Sequence, residues 1–308
     1  MKVVYGTDTY IGFKRPMGVG LGNFDGLHIG HLALINTLTT ESDFNSFDSV
    51  LYTFNRHTKS VVNKNLHIPL LLSRNKKIDL LRRTSLDYLY FEEFNNKFSK
   101  MSPELFVKDI LIDKLNMKLV VVGFNYKFGH MGQGDARLLQ NLGRKHGFKV
   151  IIIEPVKQDN IVVSSTLIRE NVIKGNMSKV SELLGRYHSI TGIVQRGRKI
   201  GRTIGFPTAN IYPDEGIILP DNGVFLSRVV VEGEMYHGVT NIGINPTFGG
   251  LDNRTVETHI LNFGEHYIYG KTIEVFLIKK IRGEKRFDDV GKLVEQIRRD
   301  IDDAKEYI

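Results

Sequence analysis

Along the first half of the chain, short apolar runs alternate with stretches in which apolar residues recur every three or four positions. Positions 19–21, 49–54, 86–91, 119–123 and 149–154 are short, mostly rich in Val, Ile, Leu or aromatic residues, and bounded by turn formers, so they predict strands. Between them, positions 31–38, 74–83, 103–115 and 136–146 carry helical spacing. Ser102 followed by Pro103 marks one helix start, a capping residue and then proline in the first turn. Strand and helix in this rhythm predict a parallel sheet covered by helices, which takes its ligands beyond the carboxyl ends of the strands.

The texture changes after Leu184. Short runs at 189–194, 224–231, 236–242, 256–261 and 272–278 are separated by Gly, Pro and Asn turns, a pattern that predicts a small antiparallel barrel. Near the end, Val290, Leu293, Val294, Ile297 and Ile301 fall on one stripe and predict a closing amphipathic helix. The boundary falls near 184–188, which divides the chain into domains 1–184 and 185–308.

Composition changes this picture little. The 308 residues leave room for two ordinary domains, and 41% hydrophobic with 25% charged residues is usual for a globular chain. The absence of cysteine excludes disulfides and thiolate metal sites and fits a reducing compartment. No apolar run approaches the length of a membrane span, so a cytoplasmic protein is expected. The net charge of +8 first suggests nucleic acid. Residues 185–308, however, hold 17 basic and 17 acidic residues, so the whole excess lies in the first domain. There the basic residues are scattered, with Lys76-Lys77 and Arg82-Arg83 the densest. That argues against specific nucleic-acid binding and for a surface that attracts phosphorylated ligands.

Candidate chemistry begins at residues 21–31, LGNFDGLHIGH. Gly22, Phe24, Asp25 and Gly26 sit in the expected strand-to-helix turn, where backbone approaches a ligand closely and a helix N-terminus favours an anion. His28 and His31 lie in the first helical turn, placed to donate to phosphate oxygens. A structural glycine turn with one buried and one exposed histidine is the plainer alternative. Residues 163–169, VSSTLIR, set Ser164, Ser165, Thr166 and Arg169 at a second expected helix start. Hydroxyls and a guanidinium there suit phosphate, although an N-cap followed by a surface arginine is the commoner meaning. Residues 121–135 form another strand followed by a glycine-rich loop that contains Asn125 and Phe128.

In the second domain, residues 197–210 read GRKIGRTIGFPTAN. A P-loop is excluded, because Arg196 stands where its first glycine is required and Arg202 where its lysine is. Gly201, Gly205 and Pro207 shape the approach to Thr208 and Asn210. These two are spaced to share a face, and both are hard oxygen donors suited to Mg2+ carrying ATP. Glu257, in the strand-like run VETHIL, would act as a base if it faced the barrel mouth beside them; an isolated strand glutamate more often faces solvent.

The string Gly-x-Phe-Asp-Gly-x-His-x-Gly-His and the SSTLIR element resemble nucleotidyltransferases that transfer an adenylyl or cytidylyl group to a phosphate. GRTIGFPTAN, NIGINPTF, VETHIL and YGKTIEVFLIKKIRGEKRF are similar, in order and spacing, to riboflavin kinase. Over residues 15–302 the chain resembles the bacterial bifunctional riboflavin kinase/FMN adenylyltransferases, or FAD synthetases. The resemblance implies an α/β fold, a Rossmann-like nucleotidyltransferase domain followed by a small antiparallel β-barrel with a terminal helix. It implies riboflavin, FMN and ATP as ligands, Mg2+ on Thr208 and Asn210, and Glu257 as kinase base. It further implies that His28, His31, Ser164 and Arg169 act on the triphosphate, and that His57, Asn125 and Phe128 lie in loops around flavin and phosphate. TFNRHT keeps His57 but lacks both prolines of the usual pattern, and Asn125 replaces an acid. Two alternatives stay open: a riboflavin kinase with a repurposed first domain, and a flavin-responsive RNA-binding regulator. Self-association is likewise open.

Overall fold

The computed structural model describes residues 1–6, 13–55, 68–197, 200–244, 254–264 and 267–307. They form two units, Met1–Ser164 and Ser165–Ile308. His57 lies outside the described residues.

The first unit is built on a six-stranded sheet. Its strands are β1 (Lys2–Tyr5), β2 (Met17–Leu21), β3 (Asp48–Phe54), β4 (Tyr88–Glu92), β5 (Met117–Gly123) and β6 (Lys149–Ile153). The order is β1-β4-β3-β2-β5-β6, and every pairing is parallel. Helices α1 (Ile29–Phe44) and α2 (Arg74–Leu81) cover one face. The other face is covered by α3, which opens at Pro103–Leu105 and continues as a π-helix over Phe106–Lys114, and by α4 (Ala136–His146). The two-residue period of the strands assigns the layers. Leu51, Leu119 and Val121 pack with Leu34, Ile35 and Leu38 of α1, whereas Val50, Tyr52, Val120 and Val122 pack toward Phe106 and Leu139. Ser73, Ser102 and Asp135 cap α2, α3 and α4 by accepting an N–H three residues on. From β2 the chain winds outward through β3 and β4, then crosses back to β5. The strand order therefore reverses between β2 and β5, where ligands of open parallel sheets bind.

The predicted strands and helices of this half are all present. The π-helix and the edge strand β1 were not expected. The first helix is also longer than its predicted 31–38 at both ends.

The second unit opens with α5 (Ser165–Lys174) and α6 (Met177–Leu184). Six strands then close a barrel: β7 (His188–Gln195), β8 (Ala209–Pro213), β9 (Gly223–Val231), β10 (Glu234–Ile244), β11 (Arg254–Ile260) and β12 (Thr272–Gly283). Strand β8 is not among the runs that predict strands; it lies between those at 189–194 and 224–231. The barrel order is β7-β8-β11-β10-β9-β12, with antiparallel pairing throughout. The interior carries a fully buried hydroxyl chain: Ser227 Oγ lies 2.8 Å from Thr240 Oγ1, which lies 2.9 Å from Thr258 Oγ1. Outside the wall, helix α7 (Val290–Lys305) packs Ile297, Ile301 and Ala304 on Val224, Leu226 and Val239. The predicted stripe starts too early, because Val290 is exposed. Its packed face also holds a charge. Asp300 is buried and accepts from Arg282 Nε and Nη2, both at 2.8 Å, and from Gln296 Nε2 at 2.9 Å.

Removing one partner of a buried ion pair strands the other charge. Asp300→Ala should therefore lower the barrel's unfolding free energy in urea by roughly 3–5 kcal/mol, and the paired replacement R282M/D300L should cost far less. His188, at the start of β7, is buried, and burial pushes its pKa down to about 4; a backbone hydrogen bond at Ile218 opposes this, and Arg186 adds to it. Below about pH 6.5 the unfolded chain gains a proton there that the folded barrel refuses. Stability should fall between about pH 6.5 and 4, by on the order of 3 kcal/mol in full. Thermal melts of His188→Phe across this range should lack that slope.

Candidate active sites

In the first unit the candidate residues gather on the turn between β2 and α1, at the carboxyl edge of the sheet and beside the reversal point. His28 is the N-cap of α1, with extended backbone, and its Nδ1 accepts the His31 N–H at 3.2 Å. A neutral imidazole that accepts through Nδ1 carries its hydrogen on Nε2, so the cap fixes the tautomer. The His31 ring stacks on His28, with centroids 3.6 Å apart and 16° between the planes, and Phe24 meets His31 edge-on at 5.3 Å. The two histidines therefore form one unit at a helix N-terminus, where the dipole favours anions.

The turn itself is bent by residues that seldom bend. Phe24 and Leu27 have φ of 47° and 41°, and Gly26 has φ of 90°. Both apolar side chains are buried in the core beneath. Space is tight at Gly22, where a Cβ would stand 3.0 Å from the Phe24 ring, and at Gly30, where it would stand 3.2 Å from the His28 ring, so a larger residue at either would press on these rings. Asp25 is buried, and its Oδ1 accepts the Leu71 N–H at 3.0 Å. Its role is to hold the turn.

Asn125 is exposed just beyond β5, in a shallow cleft of about 310 Å3 that it shares with Lys127 and Arg137. Phe128 is buried against Phe106 and Tyr126, so it acts as a wall. A larger cleft of about 520 Å3 lies by Lys2, Asp48 and Asp87. That is the amino edge of the strands, the wrong end for a ligand of a parallel sheet. Ser164 ends the first unit and Ser165 opens α5 in the second. Arg169 follows Ser165 by four residues on the same helical face, and Thr166 is exposed.

In the barrel unit, strand register makes the site. Asn210 of β8 stands directly opposite Glu257 of β11, and Asn241 of β10 stands opposite Glu257 on its other side. Directly paired residues share a face, with Cβ atoms about 5 Å apart. Val256, Thr258 and Ile260 are buried whereas Glu257 and His259 are partly exposed, so Glu257 projects from the outer wall rather than into the barrel mouth. The segment before β8 folds over this wall. The Phe206 N–H donates to Gly201 O at 2.7 Å, and Gly205 has φ of 88°. His259 Nδ1 lies 2.8 Å from Pro207 O; a carbonyl only accepts, so that nitrogen carries the hydrogen. The Phe206 ring packs edge-on against His259. A Cβ at Gly197 would stand 2.4 Å from the Asn210 amide, so a larger residue there would displace that side chain. Thr208, Asn210 and Glu257 thus lie on one wall, an array of oxygen donors suited to a hard cation and a polyphosphate.

Sequence reasoning missed two supporting residues, Lys77 and His259. Lys77 is buried beneath the first turn, with Nζ donating to the Asn23 carbonyl at 2.9 Å. His259 had a signal: it lies two residues after Glu257, on the same strand face.

The chain resembles known proteins over its whole length. The FAD synthetase family matches residues 11–167 and the riboflavin kinase family residues 184–308. A bifunctional riboflavin kinase/FMN adenylyltransferase of Buchnera aphidicola (Schizaphis graminum) is 37% identical over 100% of this chain and 99% of its own. Its counterpart from the Acyrthosiphon pisum strain is 34% identical, covering 100% and 98%. A crystal structure described as a macrolide-efflux protein from Streptococcus pneumoniae superposes with a TM-score of 0.88 at 31% identity, over 96% of this chain and 95% of that one. Among the described residues, no helix here is long and apolar enough to cross a membrane.

The cap predicts a separation of stability from chemistry. His28→Ala should cost about 1 kcal/mol in urea unfolding of the first unit, and His28→Ser, which restores a capping oxygen, should recover most of it.

Proposed function

The chain belongs to the bifunctional riboflavin kinase/FMN adenylyltransferase family, and on that premise we propose how its two halves divide the chemistry. It phosphorylates riboflavin to FMN with ATP, and it adenylylates FMN to FAD with release of pyrophosphate. Adenylyl transfer belongs to residues 1–184 and the kinase step to residues 185–308. The observation that carries this assignment is that the stacked histidines and Glu257 fall in different compact units.

In the kinase step Glu257 takes the proton of the ribityl 5′-hydroxyl as its oxygen attacks the γ-phosphorus, and ADP leaves. Thr208 and Asn210 fit Mg2+ that accompanies ATP, and the ion, when bound, neutralises charge on the phosphates. Asn210 therefore orients the nucleotide beside the base, and His259 keeps the Pro207 turn in place. Positioning supplies most of the rate.

In the second step an oxygen of the FMN phosphate attacks the α-phosphorus of ATP, and pyrophosphate leaves. The attacking group is already anionic, so no protein nucleophile is required. His28, through Nε2–H, and His31 donate to the oxygens on which charge builds. Ser164, Ser165, Thr166 and Arg169 are the candidate triphosphate clamp. Asn125 and Phe128 shape the flavin side. We assign the protein to the cytoplasm, because a cysteine-free chain suits a reducing compartment.

Glu257→Gln should abolish FMN formation, lowering its rate by about a hundredfold or more, while FMN-to-FAD conversion persists. His31→Ala should do the reverse. Chromatography of the flavin products distinguishes them, and an equal loss of both activities in either folded variant would contradict the division.

A further inference from the structure

Lys77 of α2 belongs to no motif, and its side chain is spent inside the protein. It is 8% exposed, and its Nζ donates to the Asn23 carbonyl at 2.9 Å. Thr53 Oγ1, from the end of β3, donates to the same oxygen at 3.1 Å. Two donors from two separate elements thus hold one carbonyl of the turn that carries the histidines. Two residues further on, Asp25 ties the same turn to Leu71.

The peptide that joins Asn23 to Phe24 is trans, as are all those among the described residues. The carbonyl of Asn23 and the N–H of Phe24 belong to one planar unit and point in opposite directions. Drawing the carbonyl onto Lys77 and Thr53 therefore turns the Phe24 N–H away from them. An ammonium on the carbonyl side also polarises that peptide, which makes the N–H a better donor to an anion. A neutral side chain can supply the hydrogen bond, as Thr53 already does; what Lys77 adds is charge.

We propose that Lys77 is a positioning residue for adenylyl transfer, holding the 22–28 turn in its phosphate-accepting form and placing a positive charge beneath it for the ATP triphosphate. This rests on the assignment of adenylyl transfer to that turn. Burial lowers the Lys77 pKa to about 8, and the Asp25 carboxylate opposes the shift. Of the groups packed against it, Asp25 is the charged one on the turn, and Thr53 on β3 does not titrate. On its own helix Arg74 and Asp79 are exposed. The cation is therefore present below about pH 8 and lost above it.

The test is steady-state kinetics of both reactions with the full chain and with Lys77→Gln, Lys77→Met and Lys77→Arg, from about pH 6.5 to about pH 9.5. In the unmodified chain, the KM for ATP in the FMN-to-FAD reaction should rise severalfold as pH passes about 8. At pH 7, Lys77→Met and Lys77→Gln should raise that KM about tenfold or more, with a smaller change in kcat and a flat profile through pH 8. Lys77→Arg should keep a low KM and lose the alkaline rise. The KM for ATP in the kinase reaction should not change in any variant. A folded Lys77→Gln that keeps the unmodified KM and pH profile would overturn the proposal. If the variants fail to fold, a flat KM through pH 8 in the unmodified chain does so instead. An unmodified chain that makes no FAD contradicts the underlying assignment itself.

Discussion

His28 accepts the His31 N–H at the amino end of α1, a task usually given to Ser, Thr, Asp or Asn. The same ring is the candidate donor to phosphate, so one contact ends a helix, fixes a tautomer and stacks the second histidine. Everything around it serves that double use. Phe24 and Leu27 adopt a left-handed backbone at a cost on the order of 1–3 kcal/mol each. Burying each of their side chains contributes about 1.5–3 kcal/mol, enough to offset that strain. The turn is held from below by the core, by Asp25 and by two donors on the Asn23 carbonyl. The ligand need not organise it, which is what preorganised charge stabilisation requires.

The barrel reaches a comparable end by a different route. Here no helix N-terminus is used; a strand register brings Asn210 and Glu257 face to face. Register is secure because the opposite face of β11 is buried, and a slip of one residue would drive Glu257 into the interior in place of Thr258. The hydroxyl chain through Ser227, Thr240 and Thr258 adds to this, since a shifted strand would leave buried oxygens without partners. The segment ahead of β8, pinned by His259 to the Pro207 carbonyl, then folds over that wall. One candidate site is thus built on a helix end and the other on a pleated surface.

Much of this was legible in the chain. The parallel sheet was, because its central strands are buried on both faces and read as unbroken apolar runs; so was the barrel, because turn residues punctuate it. The glycine turn with paired histidines and the pairing of Thr208 with Asn210 marked both candidate sites. Other features were not legible for physical reasons. Strand β1 is short and lies at an edge, so its pattern is weak. The π-helix keeps the apolar periodicity of an ordinary helix closely enough to pass for one. Lys77 reads as half of a charged Lys-Lys pair, yet it shares the buried face of α2 with Leu81, where a core residue is expected. The side to which Glu257 points depends on barrel closure, which a single strand cannot reveal. His57 lies outside the described residues.

The most direct measurement tracks two labels through one reaction. The purified chain is incubated with riboflavin, Mg2+ and ATP labelled at either the γ- or the α-phosphorus, and the flavins are separated over time. With both halves acting as assigned, γ-label enters FMN first and then FAD, whereas α-label appears in FAD alone and only after FMN has formed. Label from the γ-position in flavin with none from the α-position would show a kinase whose first half does not transfer an adenylyl group, and would contradict that assignment.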